Sequence, residues 1–454
     1  MKIGIERIFR HLEEHFDEHL EKLRELCRQP SVAAQGLGMA EVAQMVKELL
    51  EGLGAETRLI ETSGYPVVYG ELAGRGEKTL AFYNHYDVQP PEPLEEWSSD
   101  PFSAEVREGR LFARGAADNK GNIIARLAAV EAYLKVYGEL PLGVKFIIEG
   151  EEEIGSPHLG EFAEVHPGLV QADGYIWEFG YKDLKERPHL YLGLKGILYV
   201  ELRATGAKRD LHSSWGTVVP NPAWRLTWAL NTLKGEDEKV LIPGFYDKVR
   251  PLSPEEREVL AGLDFDEEGW REQLGLGKYL LNLAGEELLE HHLFRPTCTI
   301  CGLRSGYLGP GSKTVLPHEA QAKIDFRLVP DQDPEEILNL LKDHLSARGF
   351  SETEIEVIPH SWEPPARTPP EDPLVKTVIA AARRAYEKEP QVYPISPGSG
   401  PMYSLCQRFG IPAVSTGVGY WGSNAHGPNE NIRLDDLAQG MKHIALIIQE
   451  FALA

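Results

Sequence analysis

Apolar residues at Ile5, Ile8, Phe9, Leu12, Phe16, Leu20, Leu23 and Leu26 recur every three or four positions, and this period predicts one amphipathic helix running up to Pro30. A second is predicted from Met39 to Leu53. The pattern then alternates. "TRLIET", "VVYGEL" and "TLAFYNHYD" read as strands, "NIIARLAAVEAYLKVYG" as a helix, and "GVKFIIEG" and "DGYIWE" as further strands. Strands alternating with helices favour an α/β layered domain with a mostly parallel sheet.

After Lys195 the texture changes. "ILYVELRAT" and "QAKIDFRLV" read as strands, "PNPAWRLTWALNTL" and "PEEILNLLKDHLSARG" as helices, with a charged helical insertion at about 235–292. The segment "PHSWEPPARTPPEDP" is too rich in proline to continue a helix or a central strand and reads as a return linker. Helix and strand then resume in "LVKTVIAAARRAYEKEP" and "IPAVSTGV". The organisation this predicts is an α/β domain in two parts, 1–194 and 367–454, interrupted by an α+β domain at 195–366.

A chain of 454 residues at about 100 to 200 residues per domain agrees with two or three domains. The net charge of -23 disfavours nucleic acid or an anionic membrane as partner, since both would repel it. The N-terminus, "MKIGIERIFRHLEEHFDEHL", has no apolar h-region, and no apolar run reaches the roughly 20 residues that span a bilayer. Cys27, Cys298, Cys301 and Cys406 lack a dense disulfide spacing, and Cys298 and Cys301 in "TCTICGL" read as buried strand residues. The expectation is a cytoplasmic protein.

Candidate chemistry enters at the strand ends. "IEGEEEIGS" crowds four glutamates onto one turn, where they would repel each other unless a cation sits beside them. Ser156 and Pro157 there read as an N-cap and first helical residue. A solvated acidic loop would look the same. His85 and Asp87 stand two apart at the end of a strand and so leave one face; a surface histidine beside a turn aspartate is the alternative. Asp118 in "RGAADNKGN" is either a helix cap or a ligand at a helix start. Glu178 ends its strand whereas Asp173 begins one, and His426 lies in the glycine-rich loop "GVGYWGSNAHGPNE". Ligands of open α/β sheets bind beyond the carboxyl ends of strands, and five such ends deliver these groups to one edge.

These residues carry a resemblance. "HYDVQP", "RGAADNKG", "EGEEEIGS", "DLHSS", "FRLVPDQ" and "AHGPNE" follow, in order, the motifs of the dinuclear zinc peptidase superfamily, and the chain most resembles its carnosine dipeptidase and PepV-like branch. The resemblance implies a catalytic domain interrupted by a ferredoxin-like lid and dimerisation domain, the helical insertion standing outside the common pattern. It implies two divalent metal ions per subunit, zinc first with manganese or cobalt as alternatives. His85, Asp118 and Glu178 would hold one, and Asp118, Glu153 and His426 the other, with Asp118 shared and a cis peptide after it. Glu152 falls on the general-base position and Asp87 on the position that orients His85. His212 of "DLHSS" matches an oxyanion donor that the family supplies from the partner subunit, which implies a homodimer.

The implied activity is hydrolysis of the amide bond in dipeptides or short peptides. An N-acyl amino acid deacylase is the alternative, and a silent metal-binding scaffold the remote one. Arg327 in "DFRLVPDQ" is placed on a substrate carboxylate by the resemblance, though a surface strand arginine would read alike. Thr314 and Ser399 match substrate-contact positions. One departure stands out: where carnosine dipeptidase-like members carry an arginine ahead of "GGS", this chain reads "ISPGSGP", with Ile395 at that place. Tyr420 and Trp421 are candidates to wall the pocket. "GYLGPGSKT" only superficially follows a phosphate-binding loop, because Ser312 intrudes and Pro317 forbids an opening helix.

Overall fold

The computed structural model describes residues 4–454; Met1 to Ile3, at the start of the first predicted domain, lie outside them. An eight-stranded sheet forms the centre, in the order Glu56–Ile60, Val67–Leu72, Gly143–Glu149, Thr79–His85, Gly174–Trp177, Ala413–Ser415, His189–Tyr191 and Gln391–Tyr393. The middle four strands run parallel. They read as mostly apolar runs, Lys145 being the charge inside them, because both faces are covered. Leu80 and Phe82 point into a core shared with the helices Gly121–Tyr137, Pro373–Tyr386 and Leu434–Phe451. Ala81 and Tyr83 point into a second core with Leu159, Phe162 and Leu405.

A smaller antiparallel sheet takes the order Thr299–Ser305, Glu319–Leu328, Gly196–Thr205, Ile355–Glu363, with the helices Pro222–Leu230 and Pro334–Ala347 packed on one face around Val200, Ile324 and Phe326. Two helices inside a split β-α-β arrangement are the ferredoxin-like connectivity. The two chain crossings between the sheets lie side by side, because Gly193–Leu194 pairs antiparallel with Ala366–Arg367. In the helical insertion, Leu260, Leu289, Leu293 and Phe294 enclose Ile395, which is fully buried. The residue that departs from the family pattern is therefore a packing contact of the insertion.

Several local expectations are corrected. The single N-terminal helix is two, Ile5–Glu14 and Phe16–Arg28, broken at His15, whose Nδ1 lies 2.9 Å from the His11 carbonyl. Apolar periodicity persists across the break, so the pattern could not reveal it. Ser156 is not an N-cap: its φ is +48°, its hydroxyl donates to Glu149, and the next helix is Leu159–Val165. The proline-rich return begins as strand Ile355–Glu363, which tolerates Pro359 because it is an edge strand with a register shift opposite. Cys301 is exposed rather than buried, since Thr299–Ser305 is the opposite edge strand; all four cysteines are free. Among the described residues no helix is long and apolar enough to cross a membrane.

One buried group gives the fold an acid-sensitive point. His443 sits between the two long C-terminal helices, and burial pushes its pKa down to about 4 against a hydrogen bond to the Val378 carbonyl. The unfolded chain takes up this proton below pH ~6.5 and the folded one only near 4, so stability falls with pH across that window, by about 3 kcal/mol in total. Thermal melts of wild type and His443→Gln should show the wild-type advantage shrinking from pH 6.5 to 4; a constant difference would refute this.

Candidate metal centre

The carboxyl ends of the parallel strands deliver His85, the Glu149–Glu153 turn and Glu178 to one rim, and the loop after Ala413–Ser415 adds His426. Asp118 arrives differently. It follows Arg110–Phe112, which belongs to a separate three-stranded sheet with Glu105–Arg107 and Asn431–Arg433, so four ends come from the main sheet rather than five. Asp118 sits in an irregular turn ahead of helix Gly121–Tyr137, makes no helix cap, and is followed by a cis peptide to Asn119.

The side chains interlock around it. His85 Nε2 lies 3.0 Å from Asp118 Oδ1 and 3.1 Å from Glu178 Oε2. His426 Nε2 lies 3.1 Å from Asp118 Oδ2 and 3.1 Å from Glu153 Oε2. Asp118 thus gives one oxygen to each of two sets. Grouping by donor atoms within 4.8 Å of one another brings out two other triads, His85, Asp118, Glu153 and His85, Glu152, Glu178, so the six side chains form one continuous cluster. Asp87 underlies it: His85 Nδ1 is 3.3 Å from Oδ1 and 3.0 Å from the Asp87 carbonyl, while Oδ1 and Oδ2 accept the Glu152 and Glu153 backbone N–H groups at 3.3 and 3.0 Å.

The crowded turn resolves into two halves. Glu149 accepts from Tyr83 and Ser156, and Glu151 meets His158 at 2.8 Å. Glu152 and Glu153 remain for the cluster. Electrostatics follow the crowding. Burial, then the Glu178 charge, pushes the Glu152 carboxyl well above the usual range, and burial raises Glu178. Burial would raise Asp118 too, but the His426 and His85 rings hold it below ordinary carboxylates. Burial works to lower His85, and the Glu178, Asp118 and Asp87 carboxylates overrule it; Asp118 and Glu153 push His426 up to about 10.

These residues fit divalent cations. Among the described residues no lysine or arginine forms an ion pair with Asp87, Asp118, Glu152, Glu153 or Glu178; only the two histidines do. The Nε2 atom of each histidine faces two carboxylate oxygens, yet carries one proton at most. Glu178 Oε2 is buried and accepts no hydrogen bond. Imidazole nitrogen with carboxylate oxygen is a donor set that zinc, manganese or cobalt accepts.

Other expected residues find their side-chain partners outside the cluster, although a Cβ at Gly400, next to Ser399, would stand 3.8 Å from Glu152 Oε1. His212 and Thr314 are exposed in the smaller sheet's loops and face each other, His212 Nε2 being 3.4 Å from Thr314 Oγ1. The segment before Thr314 leads into strand Val315–Leu316, not a helix. Arg327 Nε donates to Asp325 at 3.1 Å, and Ser399 Oγ donates to the Gly196 carbonyl at 3.0 Å. Tyr420 is buried and donates to Asn431, whereas Trp421 is 62% exposed. Sequence reasoning missed Gln89, which donates to Glu153 Oε2 at 2.9 Å, Asn119, which donates to the Glu178 carbonyl at 3.0 Å, and the Arg114–Glu430 pair. Arg114, Asn119 and Glu430 all stand inside the quoted motifs, which is the signal that was available.

Comparison with known proteins agrees with this geometry. The chain is 30% identical over 365 residues to the Cys-Gly metallodipeptidase dug1 of Schizosaccharomyces pombe, covering 76% of each chain. Its structure superposes with a TM-score of 0.92 on an M20 family metallo-carboxypeptidase, Sso-CP2, from Sulfolobus solfataricus, at 44% identity and covering 96% of this chain and 100% of that one. With human carnosine dipeptidase 1 the TM-score is 0.79 at 26% identity, over 99% and 100% of the two chains. The model of Peptidase family M20/M25/M40 matches residues 81–450, a span that holds the whole cluster, and the chain belongs to that family.

Proposed function

We propose that this chain is a metal-dependent hydrolase that cleaves the amide bond of dipeptides or short peptides with a free carboxyl terminus. The observation that carries the reading is the sharing of Asp118 between His85 with Glu178 and His426 with Glu153, beside Glu152. His85, Asp118 and Glu178 would hold one cation and Asp118, Glu153 and His426 the second, zinc being the first choice and manganese or cobalt the others. When bound, such a pair supplies Lewis acidity that activates water and polarises the scissile carbonyl. Glu152 takes the proton from the attacking water and hands it to the leaving amine, a role suited to a carboxyl whose pKa its surroundings raise. Asp87 keeps His85 oriented and fixes the backbone of Glu152.

The relatives' names support the substrate class. A dipeptidase and a carboxypeptidase share one need, a substrate that ends in a carboxylate just beyond the scissile bond. Arg327 spends Nε on Asp325, which leaves the outer edge of its guanidinium for that group. Exposed loops carrying His212 and Thr314, and an edge strand with Ile300 52% and Leu303 62% exposed, support a homodimer in which the partner brings His212 to the scissile carbonyl. We assign residues 195–366 to this lid and dimerisation unit. Free cysteines and a strongly acidic surface agree with a cytoplasmic setting.

The test is a panel of matched substrates: free dipeptides, their N-acetyl forms and their carboxyl-amidated forms. Free dipeptides should turn over fastest. Preference for acetylated substrates would make the chain a deacylase. Arg327→Ala should raise KM for free-carboxylate substrates about 10- to 100-fold, with little further effect on amidated ones; an equal loss on both would remove Arg327 from this role.

A further inference from the structure

A fully enclosed arginine–carboxylate pair beside the cluster is one that no catalytic step uses. Arg114 is 1% exposed and Glu430 is 0% exposed, and Arg114 Nη1 donates to Glu430 Oε2 at 2.8 Å. The rest of the Glu430 carboxylate is committed to one turn. Oε2 also accepts the Gly115 N–H at 3.0 Å, and Oε1 accepts the N–H groups of Ala117 at 2.9 Å and Asp118 at 3.0 Å. Gly115 has φ +85°, and a Cβ there would stand 2.6 Å from Val88 Cγ1, so the turn closes against the loop after His85 only with glycine at that position.

Arg114 reaches the other way. Nη2 donates to the carbonyls of Pro90 and His426, each at 3.3 Å. His426 has φ +64°, a left-handed backbone that a histidine seldom adopts, so its loop depends on outside contacts to stay in place. One guanidinium and one carboxylate therefore touch the loops that carry His85, Asp118 and His426. The opposite set is held by other groups. Arg126 donates to the carbonyls of Tyr83 and Trp177 and to Asn84, Asn84 donates to Asn119, and Asn119 donates to the Glu178 carbonyl.

We propose that the Arg114–Glu430 pair is a positioning device that fixes Asp118 and His426 relative to each other and so sets the affinity of the cation site these two share with Glu153. The inference rests on the two-cation reading above. Neither residue touches substrate or the reacting atoms; both act through the ligands. Each Glu430 oxygen accepts two N–H donors, so Glu430→Gln turns an amide NH2 towards two donors and frees one half of the Asp118 turn. Arg114→Lys keeps the charge but loses the fork that serves Glu430 and the two carbonyls at once. Groups that orient metal ligands in this way are worth about 10- to 100-fold in affinity.

The experiment titrates the chelator-stripped full-length chain with Zn2+ under competition with a chromophoric chelator, reading equivalents and affinities, alongside thermal melts of the stripped protein. His426→Ala sets the scale for loss of a ligand. Wild type should bind two equivalents. Glu430→Gln and Arg114→Lys should weaken one equivalent at least tenfold and the other, which they reach only through the shared Asp118 and the loop after His85, by several-fold less, and Asn84→Ala should weaken the opposite one most. Variants that bind both equivalents like wild type, or lose both in parallel with the melting temperature, overturn the positioning role and leave the two-cation reading standing. If Glu430→Gln does not fold, Arg114→Lys decides. A wild-type chain that binds no second equivalent overturns the two-cation reading itself, and this inference with it.

Discussion

Replacing Glu152 with glutamine is expected to lower kcat by about 1,000-fold while leaving cation content unchanged. Glutamine keeps the size of the side chain but cannot take a proton from water or return one to the leaving amine. The Glu152 carboxyl is positioned for that work. Asp87 pins its backbone N–H, and its donor atoms lie within 4.8 Å of those of His85 and Glu178. The variant should still bind two equivalents, because both proposed ligand sets are complete without it. Turnover near the wild-type level with cations bound would show that another group carries the proton. Loss of both cations would instead make Glu152 a ligand.

The second large effect is expected from a residue that lies outside the cluster of its own chain. His212→Ala should cut kcat about 100- to 1,000-fold, the usual loss of an oxyanion donor. Its distinguishing test is complementation. Equal amounts of inactive His212→Ala and Glu152→Gln chains, unfolded and refolded together, should recover about one quarter of wild-type activity, because mixed dimers pair an intact Glu152 with the other chain's His212. No recovery, with mixed dimers demonstrated by mass, would place His212 in its own subunit's site or outside catalysis.

How much of this was legible beforehand depended on how local each signal was. The parallel strands announced themselves because both faces are covered, which writes mostly apolar runs into Thr79–His85 and, Lys145 apart, Gly143–Glu149. The strand-end rule then brought His85, Glu178 and the glutamate turn to one edge, and only the family resemblance singled out Glu152 and Glu153 within that turn. Asp118 was found for a partly mistaken reason, since it leaves a separate small sheet that the main-sheet pattern does not encode. Arg114 and Glu430 went unassigned although both stood in quoted motifs. They are 316 positions apart, and nothing in either neighbourhood says that one carboxylate will satisfy the other's turn. The break at His15 escaped for the opposite reason, a local bend that leaves the apolar period intact. Ile395 illustrates a third case: its departure was visible, but the enclosure by Leu260, Leu289, Leu293 and Phe294 arises only in three dimensions.

The paired crossings at Gly193–Leu194 and Ala366–Arg367 constrain how the halves of the molecule can move. Leu260, Leu289, Leu293 and Phe294 also clasp Ile395 across the same boundary, so a swing about that strap would have to open this contact, and sliding along it would break the bonds that hold the strap together. Arg327 and His212 ride on one half, and the cluster around Asp118 lies on the other. On the roles proposed for Arg327 and His212, any such opening would carry the grip on the substrate's tail and the helper offered to a neighbouring subunit along a single arc, coupling seizure and release of a peptide by leverage rather than by separate latches.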